Sequence, residues 1–288
     1  MNRPFSAPSP HRAFKLIFVP LLLFSLLAQL AVVWTQLDDI RDGYFDFVLY
    51  YSAARIVQDG NGKQLYDLGV QREYQKAFGR GHGDRDLPFN HPPYELLALL
   101  LPARFSFPVA HVLWALFHVL LLAILLVRIL PFVAARYRAL CVLMLIAYFP
   151  TIMALKMGQD SIITTFLLAE TFVNLKKQRY ALAGGTLALG LYKPQFVLPL
   201  IGILLLHRRW SSLLGFLLVA LLLAAVSLAM VTWDGLIGLF ALWLPMIDRG
   251  HVVWPELMTN LRGLAYVVLH PGGLAGATNG LTLALSMV

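Results

Sequence analysis

Residues 44 to 55 read "YFDFVLYYSAAR", which sets one carboxylate, Asp46, among phenylalanines and tyrosines. Two roles fit it. Asp is favoured at helix N-caps, where its side chain accepts a backbone N–H. An ionisable group directed at a membrane-embedded cavity is instead costly and usually functional, and a carboxylate there suits general-base work. On a helical wheel Asp46 aligns with Tyr50, Ala53 and Val57, opposite a polar side of Ser52, Arg55, Gln58 and Asp59. Further polar groups stand singly in apolar surroundings: His91 in "NHPPY", Gln159 and Asp160 in "MGQDS", Lys193 and Gln195 in "YKPQ", Asn260 and Arg262 in "TNLRG".

The elements that must position these groups are membrane helices. Of the 288 residues 59% are hydrophobic and 13% charged, a composition that cannot clothe a water-facing surface. The net charge of +8 does not indicate nucleic acid, because the basic residues fall in short clusters between apolar runs, as cytoplasmic loops do under the positive-inside bias. Cys141 is the single cysteine, which excludes an internal disulfide framework and a thiol metal site. "FKLIFVPLLLFSLLAQLAVVW" (14 to 34) reads as an uncleaved first span with Arg3, Arg12 and Lys15 before it, so the N-terminus is expected in the cytoplasm of a multi-pass protein of the cell membrane. Inner loops are then marked by Arg128, Arg136 and Arg138, by Lys176, Lys177 and Arg179, and by Arg208 and Arg209.

Apolar stretches lie between these clusters at about 108 to 130, 139 to 157, 161 to 175, 180 to 192, 195 to 206 and 211 to 231, with "MGQDS", "YKPQ" and 232 to 258 facing outward. "YELLALLL" (94 to 101) gives only about 12 Å of helix and reads as a re-entrant or interfacial half-helix. The stretches flanking "KPQ" also fall short of the about 20 residues of a full crossing, which sinks Lys193 and Gln195 below the outer surface, lining a cavity. Residues 37 to 93 hold nine of the fifteen acidic residues and two amphipathic segments, 44 to 59 and 66 to 79, separated by "DGNGK". They form an organised outer subdomain, too long for an idle connection. The expectation is one all-α, membrane-embedded domain over 1–288 with about 7 to 9 transmembrane helices. Its last run, "GLTLALSMV", stops before any flanking charge, so the C-terminus reads as truncated.

Six stretches in order, "DFVLYYSAARIVQDGNGKQLYD" (46 to 67), "FNHPPYELLALLLP" (89 to 102), "HVLWALFHVLLLAILLVRIL" (111 to 130), "KMGQDSI" (156 to 162), "AGGTLALGLYKPQFVLPLIGILLLHRRW" (183 to 210) and "MTNLRGL" (258 to 264), together resemble glycosyltransferase family 87. That family belongs to the GT-C membrane glycosyltransferases and includes polyprenol-phosphate-mannose-dependent mannosyltransferases. The resemblance implies transfer of a hexose, mannose by precedent, from a polyprenyl-phosphate donor to a lipid or glycan acceptor outside the membrane, with inversion at the anomeric carbon. The catalytic aspartate of the family's first loop matches Asp46, which would take the proton of the attacking hydroxyl.

A lipid phosphate leaving group needs positive charge. On this resemblance Lys193, Arg262 and His91 are the candidate phosphate ligands, and Tyr50, Gln159, Asp160, Gln195 and Asn260 the candidate sugar and acceptor ligands. The alternatives are a snorkelling Lys193, an interfacial Arg262, a structural His91 and a Gln159 that satisfies a helix end. "DFV" offers no Asp-x-Asp pair, which fits a monophosphate donor handled without metal or cofactor; Asp38 and Asp39 are a weak alternative metal pair. Trp233, Trp243 and Trp254, with Tyr44, Tyr50 and Tyr51, read mainly as a belt at the membrane interface. Gly184 and Gly185 read as close helix packing. No nucleotide-binding Gly-rich motif occurs, which argues against a sugar-nucleotide donor. A transporter or flippase, or an inactive member of the same fold, would share the topology.

Overall fold

The computed structural model describes residues 10–79, 87–248 and 261–269. Among these residues the chain is helical throughout, with no strand. It forms two compact units, 1–239 and 240–288. The first carries α1 (Pro10–Thr35), α2 (Leu37–Arg41), α3 (Phe47–Gln58), α4 (Leu68–Phe78), the short α5 (Leu97–Leu100), α6 (Phe107–Ile129), α7 (Arg138–Ala147), α8 (Phe149–Met157), α9 (Ser161–Lys176), α10 (Tyr180–Leu189), α11 (Pro194–Leu206) and most of α12 (Trp210–Asp248). In the second, α13 spans Leu261–Leu269.

Three of these helices are long and apolar enough to cross a membrane, and a fourth crossing is available if α7 and α8, bent by 43° at their junction, make one broken span. Pro150 explains the break, since its ring and missing N–H cannot continue α7 through Tyr148. The helices at 180–192 and 194–206 are apolar but short, as the half-crossings around Lys193 require. Apolar side chains face outward along the spans: Leu21, Phe24 and Leu27 of α1 and Leu217, Leu218 and Leu221 of α12 are all more than half exposed. Such a surface is stable only against lipid. Gln29 is the exception on α1; it is buried and donates to the carbonyl of Ala147 at 3.0 Å, which ties α1 to the end of α7. Arg128 of α6 grips Glu170 of α9 through two hydrogen bonds of 2.6 and 2.8 Å.

The segment between α1 and α6 is built from α2 to α5. Asp67 caps α4, its Oδ1 accepting from Gly69 N and Val70 N. Gln71 and Gln75, buried on α4, then reach across to the incoming strand-like segment at 87–89: Gln71 exchanges hydrogen bonds with Phe89 N and O, and Gln75 donates to Leu87 O at 2.7 Å. Helix α3 departs from the expected amphipathic interfacial helix. Ser52 is buried, Arg55 lies over the Phe78 ring and pairs with Asp59, and Phe47, Tyr50 and Tyr51 sit inside the protein against Phe107, Phe89 and Phe78. The aromatic surroundings of Asp46 are therefore a protein core and not a membrane anchor. Enclosure by α4, α5 and α6 gives these rings a drier partner than the lipid headgroups would.

Candidate active site

Asp46 occupies the N-cap position of α3 but makes no capping bond; its Oδ2 accepts from Gln159 Nε2 at 2.5 Å. The N-cap alternative thus holds for backbone position and fails for the side chain. The α3 N-terminus still favours a negative charge there. Oδ1 has no hydrogen-bond partner among the described residues.

Gln159 reaches Asp46 because α8 ends in a tight turn. Gly158 adopts φ 70°, ψ 27°, the left-handed conformation that terminates helices and that glycine takes without strain. Its α-hydrogen side faces Phe47: a Cβ there would lie 2.6 Å from the Phe47 Cβ. The Gly158 carbonyl also accepts from Trp114 Nε1 at 2.9 Å. The turn is thereby fixed to α3 on one side and α6 on the other, and Gln159 and Asp160 are carried to the site.

Asp160 begins α9 as Asp46 begins α3, again without capping it. Its side chain, 3% exposed, turns to Lys193 Nζ at 2.5 Å, and its Oδ2 lies 3.9 Å from His91 Nδ1. Lys193 stands between the single turn at Gly190–Tyr192 and α11, so the "YKPQ" break delivers its ammonium inward. His91 Nδ1 meets Glu95 Oε2 at 2.5 Å. Its backbone is held by Tyr66, whose hydroxyl donates to the His91 carbonyl at 2.7 Å, and its ring lies between Tyr50 and Tyr192. Tyr192 in turn shares a 2.9 Å hydrogen bond with Thr164.

The electrostatics follow from burial. Burial raises the Tyr50 phenol well above its usual value, and the charges of Asp160, Glu95 and Asp46 raise it further, so Tyr50 is a hydrogen-bond donor with three carboxylates around it. Burial pushes Glu95 up to about 7, with His91 opposing and Asp160 reinforcing the shift. For His91 burial favours the neutral ring, but Glu95 and Asp160 outweigh it and the net displacement is upward. One oxygen each of Glu95 and Asp160 is buried without a partner. His91, Glu95 and Asp160 also offer ligand atoms within 4.8 Å of one another; Lys193 already neutralises Asp160 there, which weakens the trio as a cation site.

Of the expected site residues, Asp46, Tyr50, His91, Gln159, Asp160 and Lys193 converge. Lys193 arrives ion-paired, not as a free cation. Gln195 is exposed on α11 and makes no hydrogen bond with this cluster. Asn260 and the side chain of Arg262 lie outside the described residues. Glu95 was missed: it sits in the apolar run "YELLALLL", and its signal was the spacing of four from His91 across the two prolines.

An all-α, membrane-embedded chain with buried acids, a lysine and a histidine gathered where its short helices break is a membrane protein built for chemistry on a polar group. The chain belongs to glycosyltransferase family 87, whose model matches residues 89–288. It is thus a membrane glycosyltransferase. The matched segment holds His91, Glu95, Gln159, Asp160 and Lys193; Asp46 and Tyr50 precede it. No curated protein and no solved structure matches the chain.

Proposed function

We propose that the protein transfers a hexose, mannose by family precedent, from a polyprenyl-phosphate donor to a lipid or glycan acceptor at the extracytoplasmic face of the cell membrane, with inversion. The observation that carries this reading is Asp46 held through Oδ2 by Gln159, with Oδ1 open, beside the Asp160–Lys193 pair. The acceptor hydroxyl approaches Oδ1 and gives it a proton as its oxygen bonds to the anomeric carbon. The bond from that carbon to the phosphate oxygen breaks, and its electron pair leaves on the phosphate. A single displacement of this kind needs one base and a stabilised leaving group, and no protein nucleophile.

In this reading Gln159 orients the base. Asp160, Lys193, His91, Glu95 and Tyr50 line the sugar side, where a lysine-paired carboxylate and a partly protonated Glu95 offer both acceptors and donors to ring hydroxyls. The N-terminus is cytoplasmic, which follows the distribution of Lys and Arg between the apolar runs.

The test is purified protein in lipid vesicles given radiolabelled polyprenyl-phosphate-mannose and a membrane extract. Labelled product of inverted anomeric configuration, absent with a sugar nucleotide as donor, is expected. Movement of intact donor across the bilayer without glycosidic product would make the protein a transporter and overturn the reading.

A further inference from the structure

A second feature plays no part in the network above. Between α1, α2, α6 and α8 runs a cavity of about 460 Å³, within the range of small-ligand sites. Its apolar walls include Leu30, Val33, Val112, Ala115 and Ile152. Leu30 and Val112 are about half exposed, so the groove opens sideways towards lipid. Its charged lining residues are Arg41 and Lys156, at the C-terminal ends of α2 and α8, and His111 also lines it.

Lys156 is 9% exposed. Its ammonium donates to Gln36 Oε1 at 2.8 Å and lies 4.4 Å from the centre of the Phe45 ring. Among the described residues it makes no ion pair; Asp39 is the carboxylate whose field reaches it. A lysine has three donors, so two remain to be used. Arg41 is exposed and likewise without an ion pair among the described residues. A buried cation without a counter-charge is costly in a membrane. Lys193 differs, since Asp160 balances it at 2.5 Å. The buried lysine near the base that has no contact ion pair among the described residues is therefore Lys156, with Phe45 joining it to Asp46 and Gln159 three residues further along the chain.

We propose that this groove holds the donor's isoprenyl phosphate, the phosphate on Lys156 and Arg41 and the first isoprene units along Val33, Ala115 and Ile152. The assignment rests on the glycosyl transfer proposed above and moves its leaving-group site from Lys193 to Lys156. As the bond from the anomeric carbon breaks, the electron pair stays on the phosphate oxygen, and the Lys156 ammonium faces the charge that develops there.

The test is a binding measurement that needs no turnover. Purified full-length protein is photolabelled with a sugar-free polyprenyl monophosphate bearing a photoreactive group. Unlabelled polyprenyl phosphate, the corresponding polyprenol, inorganic phosphate and phosphatidic acid are added as competitors. Polyprenyl phosphate is expected to compete at least about tenfold better than the others, with the label on α1, α6 or α8. Lys156→Met with Arg41→Gln is expected to weaken it about tenfold or more, as is Ala115→Phe, which fills the groove; Lys156→Arg is expected to retain binding and so shows that the loss is one of charge. Equal competition by polyprenol or phosphatidic acid, or affinity unchanged in both the charge and the groove-filling variants, overturns the proposal. Asp46→Asn is expected to bind the probe as wild type does. Probe binding without transfer from any polyprenyl-phosphate sugar would sink the proposed reaction and leave the groove. Transfer that persists when Lys156→Met binds normally would do the reverse.

Discussion

Replacing Lys193 by methionine isolates the ion pair at the centre of the site. The pair is 2.5 Å long, with side chains 18% and 3% exposed. Removal of the ammonium leaves Asp160 buried, with His91 Nδ1 at 3.9 Å as the nearest remaining cationic group and Glu95 adding like charge. Breaking one side of a buried pair costs about 3–5 kcal/mol. The persistence of His91 places Lys193→Met at the lower end, about 3 kcal/mol, equivalent to about 6 °C in the unfolding midpoint of a chain this long. Asp160→Asn costs less, about 1 kcal/mol, because a partly exposed lysine can swing towards water. The double variant loses both charges together, so its loss falls short of the sum of the two by about 1.5 kcal/mol or more. The assay is thermal unfolding of the four purified proteins in one detergent. Strict additivity, or a Lys193→Met midpoint within about 1 °C of wild type, would refute the view that this pair is buried and mutually dependent.

Stability should fall as pH rises. The folded state holds a proton on Glu95 up to about 7 against 4.5 for the free side chain, and His91 is displaced upward as well. Between those values the folded chain binds more protons than the unfolded one, so raising the pH favours unfolding, by at most about 3 kcal/mol from Glu95. Unfolding midpoints recorded from pH about 5 to about 8 should decline in wild type and flatten in Glu95→Gln; a wild-type profile that rises with pH contradicts the assignment. Gly184→Ala should prevent folding or cost about 3 kcal/mol or more, because its Cβ would stand 1.7 Å from the Ser212 carbonyl oxygen where α10 crosses α12. Gly202→Ala, with open space around it, is the control: detergent-extracted yield and thermal midpoint should drop for the first only.

Much of this arrangement was legible in the sequence, for identifiable reasons. Helices α6, α9 and α11 fall within a residue or two of the apolar stretches because Lys/Arg clusters, Gly158 and Pro194 punctuate them sharply, whereas the stretch 139 to 157 breaks at Tyr148 into α7 and α8, and α10 ends at Leu189, before Tyr192. The short stretches on either side of Lys193 announced the helix break found there. Asp46 could be recognised as a candidate base, but its partner could not, since Gln159 lies 113 residues away and only the fold joins them. Glu95 was hidden by an apolar run whose hydrophobicity outweighed one acid. The rings around Asp46 were misplaced for a different reason: Phe, Tyr and Trp suit a membrane interface and a protein core equally, and the packing of α4 and α6 on α3 decides between them. Lys156 was read only as part of "KMGQDS", because a buried lysine without an ion pair cannot be told from a snorkelling one until its neighbours are known.

The central claim is that Asp46 is the base. Its most direct test is the rate of sugar transfer from polyprenyl-phosphate-mannose by Asp46→Asn, a near-isosteric change that removes the charge and keeps an acceptor for Gln159. A loss of about 10² or more in turnover is expected, with photoreactive polyprenyl phosphate still bound and the unfolding midpoint preserved. Turnover within a few-fold of wild type would contradict it and move the base to another carboxylate, with Asp160 and Glu95 next in line.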